Sequence, residues 1–264
     1  MPGTAPGEGR RPDLTENMLT SDQLKDFRRD GYLLIRGLYD RREMQAITDW
    51  TDEVTAWPEV PDKYMMYFEQ SRLQAGRRIL CRMEDLEPWH AGFRELFCDG
   101  KMQGAVSDLF AEEAVLFKDK INFKLPGGDG FKAHQDVQAG WDSYAKLHIT
   151  ALVTIDRCTV ENGCLEIAPG FHGRGLIGEK WKPLDENALK YTSIPTEPGD
   201  AIFFDSYIPH RSGPNLTADS RRVLYVTYNR LSEGDHRRQY YDDKRRSYPP
   251  DCEREPDKQY VFRV

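Results

Sequence analysis

Residues 147–155 have the sequence Leu147-His148-Ile149-Thr150-Ala151-Leu152-Val153-Thr154-Ile155, in which apolar and β-branched side chains predominate. A run of this length and composition predicts a buried strand. Similar stretches lie on both sides of it, and turn sequences such as Pro126-Gly127-Gly128 and Pro198-Gly199-Asp200 separate them. The strands predicted in this part of the chain are 115–117, 121–125, 147–155, 163–167, 201–204 and 222–228.

The N-terminal half of the chain has helical patterns instead. Ser21 is the predicted N-cap of a first helix that ends at Gly31, and a short strand follows over 32–35. Further helices are predicted over 41–55 and 91–110. Helices followed by many short strands favour a mainly β fold with flanking helices. We expect its core to be a double-stranded β-helix, the jelly roll of cupin-like proteins.

Three segments fall outside this pattern. Residues 1–17 are rich in glycine, proline and charge, which predicts a flexible tail before a single domain over 18–264. Residues 58–88 show no clear periodicity, and the sequence leaves open whether 58–72 form a lid. The charged and aromatic stretch 232–264 is expected to be an irregular tail that wraps the domain.

The overall composition and net charge limit the kinds of molecule that the protein is expected to bind. The chain has 264 residues and a formal net charge of −7, which argues against broad binding to nucleic acid or to an anionic membrane. The five cysteines are odd in number and form no CxxC pair, so reduced thiols in a cytoplasm are expected. The sequence shows neither a secretory signal nor an apolar run of membrane-spanning length. We expect a cytoplasmic protein that acts on a small molecule, and the oligomeric state stays open.

The segment Phe131-Lys132-Ala133-His134-Gln135-Asp136 carries the metal prediction. In an extended chain residues i and i+2 face the same side, so His134 and Asp136 can present an imidazole and a carboxylate to one point. His210 follows the predicted strand 201–204 and can supply a second imidazole. Two histidines and one carboxylate form the facial triad of non-haem iron(II) sites, which leaves coordination positions open. A closed structural zinc site would need a fourth protein ligand.

The triad by itself is a weak signal, because an HxD tripeptide is common and the chain has six histidines. Arg221 strengthens it, since it opens a predicted strand eleven residues after His210. A guanidinium there could pair bidentately with the carboxylate of a co-substrate next to the metal. The alternative places Arg221, beside Arg222, on a solvated face. The order of metal ligand, turn and arginine along the chain favours a contact between Arg221 and the co-substrate.

Over residues 24–228 the chain resembles the phytanoyl-CoA dioxygenase family of iron(II)/2-oxoglutarate oxygenases. The stretches that carry the resemblance are 29–37, 134–136, 161–165, 168–172, 198–200 and 210–215. It implies that His134, Asp136 and His210 bind Fe(II), with 2-oxoglutarate and O2 as co-substrates. It also implies that Arg221 holds the distal carboxylate of 2-oxoglutarate. Asn122 is a further candidate for this co-substrate, and the alternative is an ordinary polar strand residue.

Shorter stretches are similar to the branch of this family that hydroxylates 2-aminoethylphosphonate or its N-methylated relatives. These stretches are 64–69, 118–128, 138–141, 173–178 and 240–244. The branch implies hydroxylation of the carbon next to phosphorus, as a step in phosphonate catabolism.

The residue types near the predicted site agree with such a substrate. A phosphonate needs cationic donors, for which the candidates are Arg82, Lys118, Lys120, Lys124 and Lys132. An amine or quaternary ammonium needs carboxylates or aromatic faces. The residues selected for substrate contact are Lys118, Lys124, Tyr67, Glu69, Arg82, Gln138 and Trp141. The alternative for each one is a surface charge or a core aromatic.

Three other functions stay open at this point. The same chemistry could act on another small amino or carboxylic acid or on a natural product. A β-helix domain could bind a small ligand without catalysis. A zinc hydrolase could use the same three ligands, although Arg221 has no evident role there.

Overall fold

The computed structural model describes residues 17–260, so the predicted tail over 1–17 lies outside the described residues except for Asn17. The helices are α1 (Ser21–Asp30), α2 (Arg41–Thr55), α3 (Ala91–Cys98), α4 (Lys101–Phe110) and α5 (Arg237–Ser247). The strands are β1 (Tyr32–Ile35), β2 (Met65–Gln70), β3 (Arg78–Glu84), β4 (Ala114–Lys124), β5 (Phe131–His134), β6 (Ile149–Thr154), β7 (Leu165–Ile167), β8 (Thr192–Ile194), β9 (Ala201–Asp205), β10 (His210–Ser212) and β11 (Arg221–Arg230). No helix within residues 17–260 is long and apolar enough to cross a bilayer.

The strands form two antiparallel sheets. The major sheet has the order β1-β9-β6-β11-β4-β3-β2, and the minor sheet has the order β5-β10-β7-β8. Strand β6, within the run at 147–155, is buried on both faces. Ala151 and Val153 pack with the helices, whereas Leu152 packs between the two sheets with Ile167 of the minor sheet. Thr150 and Thr154 share the face of Leu152 and are buried as well, so neither side of this strand meets solvent.

The secondary structure corrects several predicted boundaries. The separate strands at 115–117 and 121–125 are one strand, β4, because Lys118 and Asp119 between them are buried and Lys120 is half-buried, rather than in a turn. The helix predicted over 91–110 is two helices, since the chain breaks at Asp99 and restarts from Gly100 as N-cap of α4. The strand predicted over 163–167 begins only at Leu165.

Three further segments differ from expectation. The N-cap of α1 is Thr20 rather than Ser21, because the Thr20 side chain accepts from the backbone of Gln23 and the Gln23 side chain accepts in return. Residues 58–88, which had no assignment, contain the hairpin β2–β3. The tail expected to be irregular contains α5, whose Tyr240 and Tyr241 are buried.

Candidate metal centre and substrate cavity

Two neighbouring strands of the minor sheet bring the predicted triad together. His134 ends β5 and is paired in register with His210, the first residue of β10. Asp136 opens the short 3-10 turn that follows β5. Asp136 Oδ1 lies 3.9 Å from Nε2 of each histidine, and the imidazole centroids are 4.3 Å apart. The donor atoms of all three residues lie within 4.8 Å of one another, which is close enough to share one metal ion.

Backbone hydrogen bonds fix the orientation of both imidazoles. His134 Nδ1 lies 2.7 Å from the carbonyl oxygen of Lys132, and His210 Nδ1 lies 3.1 Å from that of Ile208. A ring nitrogen that faces a carbonyl carries the proton, so Nε2 of each ring keeps its lone pair toward Asp136. Burial, with the neighbouring His210, lowers the pKa of His134 to about 3. Burial also lowers the pKa of His210. Both rings are therefore neutral, the form that binds metals.

The third side chain is an ionised carboxylate. Burial acts to raise the pKa of Asp136, but nearby His210 and Lys120 lower it overall. Its Oδ2 lies 3.5 Å from Thr150 Oγ1, which is 2.9 Å from Thr227 Oγ1 on β11. Two neutral imidazoles and one anchored carboxylate suit a divalent metal that keeps open positions.

Arg221 lies inside the fold, at the start of β11. It is 1% exposed and shares a strand face with Val223 and Tyr225, which pack between the sheets. Its Nε and Nη2 have no hydrogen-bond partner among residues 17–260. The alternative of a solvated face applies instead to Arg222, which pairs with Asp156 at 2.8 Å. A buried guanidinium with unused donors is costly by itself and well suited to a carboxylate.

Asn122 is placed similarly on β4. It is 3% exposed, and its Oδ1 has no hydrogen-bond partner in the described part of the chain. Its backbone pairs in register with Val223 of β11. Asn122 therefore stays a candidate for contact with the co-substrate.

Two adjoining cavities open at the triad. The metal-side cavity has a volume of about 460 Å³ and includes His134 and Asp136 in its wall. The adjoining cavity has a volume of about 410 Å³ and shares five wall residues with the first: Arg82, Phe131, His134, Trp181 and Tyr248. The rest of the metal-side wall is Lys118, Lys120, Ala139, Gly140, Trp141, Ser143, Tyr144, Tyr240, Asp243, Lys244 and Ser247.

The predicted substrate residues divide between these cavities. Arg82, Lys118 and Trp141 line the metal-side cavity, whereas Tyr67, Glu69 and Lys124 line only the adjoining one. Lys124 is engaged within the protein, because its Nζ lies 2.7 Å from Ser212 Oγ and contacts the carbonyl oxygen of Gly213. The Tyr67 hydroxyl donates to the carbonyl oxygen of Tyr248 at 2.9 Å. These two side chains shape the wall and are less available to a ligand.

Gln138 belongs to neither cavity and corrects the predicted set. Its side chain is fully buried, and Nε2 donates to the carbonyl oxygens of Glu179 and Lys182 at 2.7 and 2.6 Å. Its Oε1 accepts from the backbone N–H of Gln135 at 2.8 Å. With these bonds the amide holds the loop that carries Trp181 over the cavities. That structural role replaces the predicted contact with substrate.

The structure places two more basic residues in the site: Lys120, which was already a candidate cationic donor, and Lys244. Lys120 and Lys244 line the metal-side cavity, and burial lowers the pKa of Lys120 to about 7. The spacing of Lys118, Lys120, Asn122 and Lys124 on one strand puts all four on one face, which was a usable signal for Lys120. Lys244 had no such signal, because α5 was not predicted. Within residues 17–260, four basic side chains thus line a cavity whose carboxylates are Asp136 and Asp243.

The phytanoyl-CoA dioxygenase family model matches residues 27–223. The chain belongs to the phytanoyl-CoA dioxygenase family. A 2-aminoethylphosphonate dioxygenase from an uncultured bacterium is 42% identical over 246 residues, which cover 91% of this chain and 93% of that protein. A methylphosphonate hydroxylase from Gimesia maris is also 42% identical, over 87% of this chain and 88% of that protein.

Solved structures share the fold. The EctD structure from S. alaskensis with 2-oxoglutarate and 5-hydroxyectoine has a TM-score of 0.70 at 20% identity, covering 86% of this chain and 80% of that one. The epimerase SnoN in complex with Fe3+, α-ketoglutarate and nogalamycin RO has a TM-score of 0.67 at 21% identity, covering 80% and 83%. The expected family, dioxygenase class and β-helix core are confirmed.

Proposed function

We propose that this dioxygenase is an iron(II)- and 2-oxoglutarate-dependent hydroxylase of a small organophosphonate. The reaction proposed is hydroxylation of the carbon next to phosphorus in 2-aminoethylphosphonate or its N-methylated analogue. The observation that carries the substrate class is the cationic wall beside the triad, formed by Arg82, Lys118, Lys120 and Lys244. The names of the two relatives at 42% identity, which concern phosphonates, support the same class.

The donor set fits the metal and the co-substrate. His134, Asp136 and His210 would hold Fe(II), and Arg221 would receive the distal carboxylate of 2-oxoglutarate on its unused Nε and Nη2. When bound, the metal and 2-oxoglutarate supply O2 activation for C–H hydroxylation, with conversion of 2-oxoglutarate to succinate and CO2. Asn122 offers a second polar contact beside Arg221.

The protein's own contribution is binding, orientation and shelter from water. The cations would bind the phosphonate oxygens, which fixes the adjacent carbon in the cavity that also contains His134 and Asp136. Aromatic rings of Trp141, Tyr144 and Tyr240 close much of the remaining wall. These rings exclude water and offer faces to an ammonium group.

A monoanionic carboxylic acid would offer this basic wall fewer charged oxygens than a phosphonate dianion, and so fewer charge-assisted hydrogen bonds. A non-catalytic binding domain would not need three converging metal donors together with a buried arginine of unused donors.

The test uses the enzyme loaded anaerobically with Fe(II) and 2-oxoglutarate. Succinate release after addition of O2 is measured with 2-aminoethylphosphonate, its N-trimethyl analogue and methylphosphonate, and with a panel of small carboxylic acids. We expect release that depends on a phosphonate. Faster release with a carboxylic acid than with every phosphonate would overturn the proposed substrate class.

A separate substitution tests whether Asp136 is a metal ligand. Asp136→Ala should abolish both Fe(II) binding and turnover, because the triad loses its only carboxylate. Asp142→Ala is the matched control, since Asp142 lies six residues further on and pairs with Lys180 at 2.7 Å. Full activity in Asp136→Ala would remove it from the metal site.

A further inference from the structure

The cavity that adjoins the metal-side cavity contains a carboxylate that the metal does not use. This adjoining cavity, of about 410 Å³, shares Arg82 and His134 with the metal-side cavity. Glu69, near the end of β2, lies in the wall of the adjoining cavity only. A molecule that extends through both cavities therefore has one end beside the metal site and the other end beside Glu69.

Glu69 has no basic side chain paired with it. Within residues 17–260 its carboxylate forms no ion pair, and its one hydrogen bond is donated by the backbone N–H of Asp129 to Oε1, at 3.1 Å. The side chain is half-buried, and burial raises the pKa of Glu69. Removing a carboxylate from water without a cation beside it costs free energy, which a bound ammonium group would offset.

The other carboxylates in the two cavity walls, apart from the metal ligand, already have partners. Asp129, in the wall of the adjoining cavity, pairs with Arg72 at 2.7 Å. Asp243, in the wall of the metal-side cavity, pairs with Arg246 of the same helix. Among the described residues of these walls, Glu69 is therefore the carboxylate that is best placed to receive a cationic ligand.

Two aromatic rings in the wall of the adjoining cavity already face basic side chains of the protein. Arg82 Cζ lies 4.5 Å from the centroid of the Tyr67 ring, and Lys124 Nζ lies 5.6 Å from that of the Phe131 ring. A quaternary ammonium depends on ring faces, because it has no N–H to donate. A primary ammonium instead donates charge-assisted hydrogen bonds to a carboxylate. The wall around Glu69 therefore suits a primary amine better than a quaternary one.

We propose that Glu69 binds the primary amino group of the substrate and makes the enzyme specific for aminoalkylphosphonates. This inference rests on the proposed function and deepens it. With the phosphonate against the basic wall of the metal-side cavity, the ammonium group extends past Arg82 and His134 into the adjoining cavity. There it donates to Glu69 Oε2, which accepts no hydrogen bond within residues 17–260. The carbon next to phosphorus then lies between the two bound ends.

A purely structural role for Glu69 is the competing explanation. Its Oε1 accepts from the backbone N–H of Asp129, which helps to hold the segment between β4 and β5. Glu69→Gln separates the two roles, because the amide oxygen keeps this hydrogen bond while the negative charge is lost. A structural role predicts an unchanged preference between ligands, whereas amine binding predicts that the preference is lost.

The test compares two phosphonates of the same length by anaerobic calorimetry with the Fe(II)- and 2-oxoglutarate-loaded enzyme. 2-Aminoethylphosphonate has an ammonium group where propylphosphonate has a methyl group. Wild-type enzyme should bind the amine at least about 10-fold more tightly. In Glu69→Gln the affinity for the amine should fall about 10-fold to 100-fold, as for loss of a hydrogen bond to a charged group. The affinity for propylphosphonate should change less than about 3-fold.

Glu59→Gln is the matched control. Glu59 pairs with Arg78 at 2.9 Å and lies in neither cavity wall, so the same substitution removes a negative charge outside the site. This variant should keep the wild-type preference for the amine. Glu69→Asp, which retains a carboxylate on a shorter side chain, should bind the amine more tightly than Glu69→Gln does.

The outcomes separate the amine subsite from the proposed function. If phosphonates are hydroxylated but Glu69→Gln keeps the preference for the amine, the subsite is overturned and the function stands. If amine-dependent binding requires Glu69 but no phosphonate is hydroxylated, the subsite is supported and the function is overturned. Tighter binding of N-trimethyl-2-aminoethylphosphonate than of the primary amine would overturn the specificity assigned to Glu69.

Discussion

At the scale of single residues, two adjacent arginines give the sharpest contrast in the chain. Arg221 is buried between the sheets with unused donors, and Arg222 pairs with Asp156 and Asp52 on the other face of β11. Arg221→Gln should raise the KM for 2-oxoglutarate about 100-fold or more, since a carboxylate would lose its buried partner. The KM for the phosphonate and the affinity for Fe(II) should change little. Steady-state succinate release at varied 2-oxoglutarate measures the effect.

The neighbouring position serves as the control. Arg222→Gln should leave the 2-oxoglutarate KM unchanged and cost about 1 kcal/mol of folding stability through the lost ion pairs. If the two substitutions raise that KM equally, Arg221 has no special role and the co-substrate lies elsewhere.

The same scale shows what spacing can and cannot predict. His134 and Asp136 were recognisable because an i, i+2 spacing on extended chain sets a common face, whatever the rest of the fold does. The same i, i+2 spacing along the strand puts Lys120 on one face with Lys118 and Lys124. Gln138 was misassigned because its partners, the carbonyl oxygens of Glu179 and Lys182, lie more than forty residues away. Nothing local to Gln138 indicates them.

At the scale of elements, the start of α1 offers a test between sequence pattern and structure. The pattern favoured Ser21 as N-cap, but the Thr20 side chain accepts from the backbone N–H of Gln23 at 3.3 Å, and Gln23 Oε1 accepts from the Thr20 N–H at 2.8 Å. Thr20→Ala should therefore cost about 1 kcal/mol of unfolding free energy. Ser21→Ala should stay within about 0.5 kcal/mol, because alanine suits a first helical turn. Urea unfolding of both variants measures the difference, and a larger loss in Ser21→Ala would restore the original assignment.

Strands with apolar side chains were predicted well, whereas elements with buried charged side chains were predicted poorly. Strands β1, β6 and β9 lie close to their predicted positions, because their apolar runs match the layers that cover them. Strand β4 was split in two, since a Lys118-Asp119-Lys120 sequence resembles a turn. Its lysines line the cavity, and Asp119 accepts from the backbone N–H of Leu86 at 2.6 Å. The sequence cannot show such distant partners, and α5 was not predicted for the same reason.

At the scale of the whole molecule, the proposed site spans both sheets. His134 and His210 belong to the minor sheet, and Asp136 follows directly after β5, whereas Arg221 belongs to the major sheet. The chain order of ligand and arginine was predictable from sequence, and so was the fold class. The sheet pairing that places them on opposite layers was not, because strand order depends on contacts between distant segments such as β5 with β10.

This arrangement predicts a coupling between ligand binding and stability. A metal held by the minor sheet and a 2-oxoglutarate that reaches Arg221 would link the two layers. Binding to the folded state alone stabilises it by about 2.7 kcal/mol at a hundredfold excess over Kd, a rise in melting temperature of roughly 5–10 °C at this size. With Mn(II) as a probe metal, 2-oxoglutarate should give a rise of this order beyond that of the metal alone.

Without metal, 2-oxoglutarate should change the melting temperature little, because it would then contact Arg221 but have no metal to bind. In Arg221→Gln the increment from Mn(II) should persist while that from 2-oxoglutarate disappears, and in Asp136→Ala both should be lost. Differential scanning calorimetry of the three proteins measures each increment separately. If the rise in melting temperature from 2-oxoglutarate is undiminished in Arg221→Gln, the co-substrate is held by the minor sheet alone. The two sheets would then be joined by side-chain packing, and not by the bound metal and 2-oxoglutarate.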